Sequence, residues 1–392
     1  MGVMSPWSIY ILAASMRSNC IFLYQNETGR EGPVTSMGSL FKRQPAPLIG
    51  LDVSSSAIKL VELNQNGQGA WVLERCASEP LEADCVVDGN IEKFDEVADA
   101  LKRLLKKSGT RAKHVALALS HASVITKKII LPGSLTEQEL EVQVESEASQ
   151  YIPFPLDEVS LDFCVMGPNA KSPSDVDVLL AATRKEKVEE RNNLAVMVGL
   201  TPVVMDVESY AARLAAGRWI AQLPNAAQGD LIALIKVGAR NFSLQIVRND
   251  EVLHDSEQGF GGAQLTQQIA RQYGISVEEA EIKKKTADLP ADFEDTVLQP
   301  FVASLAQDVM RALQFFFTST PYHSVQYIAM FGGSAGVKGL VQAVQDQAKV
   351  PVHLLNPFEG MTLSSAVHQT KTKHDAPMYL TACGLAMRRF LS

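Results

Sequence analysis

From about residue 45 onwards, the apolar positions of this chain alternate between strand and helix periodicity. Three segments, LIGLDVSS (48–55), SAIKLVELN (56–64) and AWVLERCAS (70–78), predict strands joined by short turns. Apolar residues then recur at helical spacing from Phe94 to Leu105, and Gly109 ends this helix. HVALALS predicts a returning strand. The pattern indicates an α/β unit that begins with a meander of strands.

The same order of elements occurs a second time. Residues 230–262 predict a strand, a bend of small residues, a second strand, an Asn-Asp turn and a third strand. A long helical stretch follows, and SVQYIAMFGG then predicts a buried strand that ends at Gly332-Gly333 before another helix. The chain is therefore predicted to contain an internal duplication of a hairpin-first α/β unit.

A different pattern lies between the two units. Thr136 followed by Glu139 predicts a capping box, which begins a helix through EQELEVQVESEASQY. After a turn rich in Gly, Pro and Ser, VDVLLAATR predicts a buried strand. We interpret the region of about 121–190 as a compact inserted subdomain.

The first 44 residues carry no helical or strand periodicity. Their longest apolar run, Trp7 to Ala14, is too short to span a bilayer and lacks the features of a signal peptide. Met37 begins a short basic, proline-containing segment that leads into the first strand. We expect residues 1–44 to be a disordered leader and residues 1–36 a non-native extension. A membrane-touching tail is the alternative.

Composition narrows the classes of partner. The chain has 392 residues, of which 46% are hydrophobic and 20% charged, enough for two domains. Its formal net charge of -8 gives no basic field for nucleic acid or an anionic membrane. The five cysteines are an odd number, lie far apart and contain no C-x-x-C pair, which disfavours a disulfide framework or a zinc site, and a reducing cytoplasm is the expected compartment.

Asp52 and the three serines Ser54, Ser55 and Ser56 lie at the bend between the first two predicted strands. Backbone N–H groups and hydroxyls at such a bend can bind phosphate, and an aspartate can hold a hydrated metal ion beside it. An ordinary solvated turn is the alternative, because serine is common in turns. The second hairpin and the later strand-Gly-Gly-helix segment favour polyphosphate binding.

Five segments, in chain order, carry a resemblance to a known family: GLDVSSSAIKLVEL, QVESEASQYIPFPLDEVSLDF, GFGGAQLTQQIARQYGISVEEAEIKKK, LQPFVASLAQDVMRALQFFF and FGGSAGVKGL. From about residue 45 to its end, the chain resembles the PilM family of actin-like type IV pilus assembly proteins, which are relatives of FtsA. The resemblance implies an α/β, actin-like (duplicated, ribonuclease H-like) fold of two lobes, with nucleotide between them. We expect the first lobe over 45–222 with the inserted subdomain, and the second over 223–392, whose last helix (about 377–391) returns towards the first.

The resemblance also implies cofactors, partners and a cellular place. ATP or ADP with Mg²⁺ would be bound. The protein would be cytoplasmic, peripheral at the bacterial inner membrane, and would act in pilus biogenesis and twitching motility. It would bind the N-terminal cytoplasmic segment of a PilN-like membrane protein, with PilO-like proteins and assembly ATPases as indirect partners. Self-association is left open.

The resemblance implies site residues by position. The first phosphate loop corresponds to Asp52, which would hold the metal through water, and to Ser54, Ser55, Ser56 and Lys59. The second phosphate loop contains Gly238 and Ser243, and the glycine pair after its third strand is Gly261 and Gly262. The ribose-contacting acid and lysine correspond to Glu281 and Lys284, and the adenosine loop corresponds to Gly332, Gly333 and Ser334. For the acid and lysine, an exposed helix pair is the alternative.

Lys236 stands where the second phosphate loop of the family usually has an aspartate. A lysine suits phosphate but repels Mg²⁺, so we expect ATP binding with weak or absent hydrolysis and assign no catalytic residue. Alternatively, Lys236 points away from the site. Two other functions are kept open: an actin-superfamily ATPase or kinase, and an FtsA-like filament-forming protein associated with the membrane.

The partner site is predicted at Tyr151, Ile152 and Phe154. Pro153 and Pro155 hold this apolar segment in an extended conformation, which could form a groove for an extended peptide. The alternative is that these side chains belong to the core of the subdomain.

Overall fold

The computed structural model describes residues 46–224, 229–249 and 251–391. The predicted leader, and with it the extension over 1–36, lies outside the described residues. Contacts divide the described chain into two compact units. The first contains the described residues up to Leu214, then Met361–Val367 and the described residues from Thr381 onwards; the second contains Ala215–Gly360 and His368–Leu380.

The elements as far as the boundary between the units follow in chain order. They are β1 (Leu48–Val53), β2 (Ala57–Gln65), β3 (Trp71–Pro80), β4 (Val86–Val87), β5 (Asn90–Ile91), α1 (Phe94–Ser108), β6 (His114–Leu119), β7 (Ile125–Pro132), α2 (Glu137–Ala148), β8 (Val159–Pro168), β9 (Asp175–Arg184), α3 (Lys185–Met197), β10 (Thr201–Val207) and α4 (Glu208–Ile220).

The remaining elements follow in chain order, and all of them except β16 begin in the second unit. They are β11 (Ile232–Val237), β12 (Phe242–Arg248), β13 (Glu251–Gln258), α5 (Gly262–Tyr273), α6 (Val277–Thr286), a π-helical turn (Glu294–Leu298), α7 (Gln299–Ser319), β14 (Tyr327–Phe331), α8 (Leu340–Ala348), β15 (Val352–Leu354), β16 (Thr362–Leu363), α9 (Gln369–Asp375) and α10 (Leu380–Met387).

The main sheet of the first unit has the strand order β10-β6-β1-β2-β3-β16. β1 pairs antiparallel with β2 and parallel with β6, which places it in the centre of the sheet. Its side chains are buried almost throughout, as expected of a strand covered on both faces. Gly50 lies under α10, where a Cβ atom would come within 2.1 Å of the Ala382 carbonyl oxygen. The glycine therefore permits the close approach of helix and strand.

The inserted subdomain is a three-stranded sheet of order β7-β9-β8 that packs against α2. The capping box predicted at Thr136 and Glu139 is confirmed. The subdomain has a core of its own, made by buried apolar residues of its strands and helix: Ile129, Leu131, Val144, Ala148, Ile152, Val159, Val178, Leu180 and Ala182.

The second unit repeats the pairing pattern of the first. Its sheet has the order β13-β12-β11-β14-β15. β11 pairs antiparallel with β12 and parallel with β14, just as β1 does with β2 and β6. The predicted duplication is confirmed.

Among the described helices, none combines the length and the apolar character needed to cross a bilayer.

Candidate functional site

The turn between β1 and β2 joins three of the predicted phosphate-loop residues. The Ser54 N–H and hydroxyl both donate to the Ala57 carbonyl oxygen, at 3.1 and 2.9 Å, which closes the turn. The Lys59 ammonium donates to Asp52 Oδ2 at 2.9 Å and to Ser54 Oγ at 2.8 Å. Ser55 is half-buried and Ser56 exposed. The hairpin register places Asp52 directly opposite Lys59, so a short loop fixes a buried ion pair beside the serines.

A second cation lies near this ion pair. Arg191 of α3 is only 2% exposed, and its Nη2 donates to the Gly89 carbonyl oxygen at 2.6 Å. Burial lowers the pKa of the Arg191 guanidinium, and the charges of Glu190, Glu208 and Asp52 oppose that shift. The Asp52 carboxylate therefore interacts with two positive groups of its own unit.

The donor set fits Mg²⁺ only in a supporting role. Within the described part of the chain, no group of three or more His, Cys, Asp or Glu side chains is arranged to hold a metal ion. Mg²⁺ at phosphates usually keeps several waters and takes one or two carboxylates from the protein. Asp52 could accept hydrogen bonds from such waters while the phosphates supply the direct ligands.

Three loops of the second unit pack together through backbone hydrogen bonds. Gly262 N–H donates to the Gly238 carbonyl oxygen at 3.0 Å, and Ser334 N–H donates to the Val237 carbonyl oxygen at 3.0 Å. A Cβ atom at Gly262 would lie 2.2 Å from Ser334 Oγ, so the glycine lets Ser334 approach without a change of its side chain. These loops thus bring the predicted second phosphate loop and adenosine loop side by side.

Glycines at the edge of this cluster have different constraints. Gly332 has φ of 103° and a Cβ there would lie 2.5 Å from the Val237 carbonyl oxygen. A Cβ on Gly261 would lie 2.7 Å from the Gly238 carbonyl oxygen. At Gly333, by contrast, a Cβ would meet no described atom within 4 Å. Gly333 therefore borders open space that a ligand could enter.

Glu281 and Lys284 of α6 form an ion pair at 2.5 Å, and both contact α5. The Thr266 hydroxyl donates to Glu281 Oε2 at 2.6 Å, and Lys284 Nζ donates to the Thr266 hydroxyl oxygen at 2.6 Å. Burial raises the pKa of the Glu281 carboxyl, but the hydrogen bonds from Lys284 and Thr266 and the charges of Lys284 and Lys285 outweigh it, so this pKa lies below its ordinary value. The pair is thus more than a surface helix contact.

Lys236 is the fifth residue of β11 and is half-buried. It lies opposite Ser243 of β12 and in register with Phe331 of β14. Directly opposed residues of antiparallel strands share a face of the sheet, so Lys236 and Ser243 point to the same side. Gly238 follows two residues later, which places the lysine next to the packed loops.

The predicted partner segment divides between surface and core. Tyr151 is 39% exposed, with Lys127 Nζ 4.9 Å from its ring centre. Phe154 is half-buried under the Arg184 guanidinium, 4.2 Å from its ring centre. Ile152 is 6% exposed and belongs to the core of the subdomain. The structure therefore does not present the three side chains on one open surface.

Residues 50–390 match the family described as "Type IV pilus assembly protein PilM". The chain belongs to this family. Among solved structures, that of a PilM-PilN type IV pilus biogenesis complex is 29% identical, with a TM-score of 0.73, and the match covers 87% of this chain and 98% of that one. The fold is accordingly the actin-like ATPase fold, an α/β architecture with several mixed sheets.

Two more distant structures are similar to most of the chain. The ethanolamine utilization protein EutJ from Carboxydothermus hydrogenoformans is 16% identical with a TM-score of 0.52, over 88% of this chain and 90% of that one. MreB5 of Spiroplasma citri, bound to AMPPNP, is 15% identical with a TM-score of 0.43, over 86% and 94%.

Two residues of the site in this PilM family member, Thr266 and Arg191, were not predicted from the sequence. Thr266 lies one helical turn after Gly262, and this spacing was the available signal because the helix begins at the glycine pair. Arg191 and its acceptor at Gly89 are separated by 102 positions. No local pattern links residues so far apart.

Proposed function

We propose that this protein is a nucleotide-binding cytoplasmic scaffold of the type IV pilus assembly platform, and that it binds the N-terminal cytoplasmic segment of a PilN-like membrane protein. The supporting observation is the likeness to the PilM of a PilM-PilN complex, which extends over 98% of that chain. Such a partner would place the protein at the inner membrane.

The inserted subdomain offers a surface for an extended segment. In the order β7-β9-β8, the two outer strands have free edges within this sheet, and an extended peptide can add to such an edge through backbone hydrogen bonds. Tyr151 and Phe154 lie in the segment that leads from α2 to β8. Their rings could contact the side chains of a peptide bound there.

A peptide titration tests this partner site. A synthetic peptide of the N-terminal segment of the PilN-like protein is titrated into wild type, Tyr151→Ala and Phe154→Ala. Loss of one aromatic anchor should weaken binding about tenfold or more. Val142→Ala, at an exposed apolar position of α2, is the matched control. Unchanged affinity in both variants, with native circular dichroism spectra, would place the partner elsewhere. Ile152 is left intact because truncating a core residue destabilises the fold.

Nucleotide binding is the second part of the proposal. Backbone N–H groups of packed glycine loops favour phosphate, and a carboxylate beside a lysine can hydrogen-bond to sugar hydroxyls. In the second unit, we assign the loops at Gly238, Gly261 and Gly332 to ATP or ADP. In the first unit, the Asp52–Lys59 hairpin is by itself a candidate phosphate-binding element. Calorimetric titration with and without Mg²⁺ tests this assignment directly.

Lys236 sets the expected chemistry. Its positive charge would attract phosphate and repel Mg²⁺, so we expect ATP to bind but to turn over far more slowly than the ~1–100 per second of kinases. Lys236→Asp should raise turnover or strengthen the dependence of binding on Mg²⁺. Lys171→Asp, an exposed position in the inserted subdomain, changes the net charge equally and is the control. ATP turnover by wild type at the rate of a kinase would contradict the proposal that this protein is a scaffold with weak or absent hydrolysis.

A further inference from the structure

Thr266 connects the two charged residues of the proposed nucleoside site. It lies on α5, is 3% exposed, and its Oγ1 is 2.6 Å from both Glu281 Oε2 and Lys284 Nζ. The same oxygen is 3.2 Å from the Gly262 carbonyl oxygen, its helical neighbour one turn earlier. A buried hydroxyl thus has three polar neighbours.

The donors and acceptors allow one arrangement. An ammonium group only donates, so the Thr266 oxygen must accept from Lys284. The single hydroxyl proton then goes to Glu281, because a carboxylate at 2.6 Å is a stronger acceptor than a carbonyl at 3.2 Å. Thr266 therefore fixes the acid and the lysine at the same time, one by donating and the other by accepting.

Glu281 retains capacity for a ligand. Thr266 and Lys284 contact Oε2, and Lys285 contacts Oε1 at 3.1 Å. A carboxylate has about four acceptor positions, so one is left for a further hydroxyl. The Glu281 side chain is partly exposed, at 37%, which allows that hydroxyl to come from outside the protein.

We propose that Thr266 is a positioning residue that orients Glu281 and Lys284 to bind the ribose hydroxyls, and that this makes the site selective for ribonucleotides over 2′-deoxyribonucleotides. An acidic side chain on the ribose 2′-hydroxyl is a recurrent way of recognising this sugar. The inference rests on the proposed nucleotide binding and adds the sugar to it.

The test measures the dissociation constants of ADP and 2′-deoxy-ADP by calorimetry, since diphosphates avoid turnover. Wild type should prefer ADP by about tenfold, the effect of one hydrogen bond to a charged group. Thr266→Val keeps the branched shape without the hydroxyl, and should weaken ADP binding about tenfold while bringing the two constants together. Thr266→Ser should keep the preference within about twofold. Thr318→Val, an exposed threonine of α7, is the control for the substitution itself.

The outcomes are distinct. A well-folded Thr266→Val that keeps the wild-type preference for ADP would overturn the role of Thr266. Equal binding of ADP and 2′-deoxy-ADP by wild type would overturn sugar selectivity and leave nucleotide binding standing, and this comparison needs no variant to fold. Absence of binding of either diphosphate to wild type would overturn the proposed nucleotide function together with the inference.

Discussion

Asp162 of β8 is a buried carboxyl whose two oxygens differ. Oδ1 accepts a hydrogen bond from the Phe163 N–H at 2.8 Å, whereas Oδ2 has no partner among the described residues. Burial raises the pKa of Asp162 to about 9, and the Phe163 hydrogen bond opposes that rise only partly. The carboxyl is therefore protonated at neutral pH in the folded state, although it ionises in the unfolded chain.

The sign of the resulting pH dependence follows from this shift. In the folded state the pKa of Asp162 lies above its ordinary value of 3.8. The contribution of Asp162 to stability is therefore complete below pH 3.8 and is lost as the pH rises towards about 9. The free energy of unfolding should fall by up to about 1.4 kcal/mol per pH unit in this range. Asp162→Asn should flatten that slope and stabilise the protein at pH 8, by on the order of 2 kcal/mol. Urea unfolding between pH 5 and 8 measures both effects.

Asp177 of the same subdomain is the control for Asp162. Burial raises the pKa of Asp177, but the hydrogen bonds from Asn169 and Lys128 outweigh it and the pKa is lowered. Its contribution is lost only in acid, so Asp177→Asn should leave the slope between pH 5 and 8 unchanged. An equal flattening in both variants would show that the slope does not arise at Asp162.

The buried pair of Asp52 and Lys59 makes a second prediction at this scale. Breaking a buried ion pair by removing one partner is strongly destabilising, so Asp52→Asn or Lys59→Met should each cost about 3 kcal/mol of unfolding free energy. The double variant should cost less than the sum, with a coupling of about 1 kcal/mol or more. A double-mutant cycle in urea measures it. The exposed Lys102–Asp99 pair of α1 should show no measurable coupling.

The residues of the site were predictable to different degrees. Asp52 and Lys59 face each other because a tight turn fixes the register of a hairpin, and such a contact can be anticipated from sequence. The burial of Ile152 could not be anticipated from the sequence, because the segment YIPFP has no periodicity that separates an inward from an outward face. Its place in the core depends on strands that precede and follow it.

At the scale of elements, prediction succeeded where a local signal was strong. α1 ends at Gly109, which has φ of 62° and caps the helix as expected. The capping box correctly predicted the first residue of α2, Glu137. The two-residue strands β4, β5 and β16 were missed, because two residues carry no periodicity. β16 pairs with β3, which lies 290 positions earlier in the chain, and such a contact has no local signature.

Gly384 provides a test of element packing. It lies in α10, where a Cβ atom would come 1.7 Å from the Ala211 carbonyl oxygen of α4. The clash involves backbone and cannot be relieved by a change of rotamer, so Gly384→Ala should destabilise the protein by about 3 kcal/mol or more. Thermal and urea unfolding measure the loss.

Gly336→Ala is the matched control for Gly384, since a Cβ at Gly336 would meet no described atom within 4 Å. Its unfolding free energy should stay within about 0.5 kcal/mol of wild type. If Gly384→Ala were equally harmless, α10 and α4 would have to be packed less closely than the structure has them.

At the scale of the whole molecule, the duplicated hairpin-first pattern was visible in the sequence because both copies repeat the same order of strand, bend and strand. The path of the chain after the second copy was not visible in the same way. Residues from Thr381 onwards belong to the first unit, and so does the segment Met361–Val367. Periodicity identifies elements but does not say which sheet a late helix will cover. The return of the last helix was expected from the family resemblance alone.

This return predicts that the first unit needs the end of the chain. Ala382, Cys383, Leu385 and Ala386 are fully buried, and the Arg388 guanidinium contacts Asp206 Oδ2 at 2.7 Å through Nε and 2.6 Å through Nη2. Burial raises the pKa of Asp206, and the charges of Arg388 and Arg213 and the Val207 N–H hydrogen bond oppose that rise, so loss of Arg388 breaks a buried ion pair.

A chain that ends at Leu380 should therefore lose the cooperative unfolding of the first unit, because it exposes apolar surface and leaves Asp206 without its partner. Hydrogen exchange measures the result for each unit separately: amides of β1 and β6 should lose protection by several orders of magnitude, whereas those of β11 and β14 should change much less. A chain that ends at Phe390 keeps the buried helix and Arg388, and should exchange as wild type does. Full protection of β1 in the chain that ends at Leu380 would show that the first unit folds without α10.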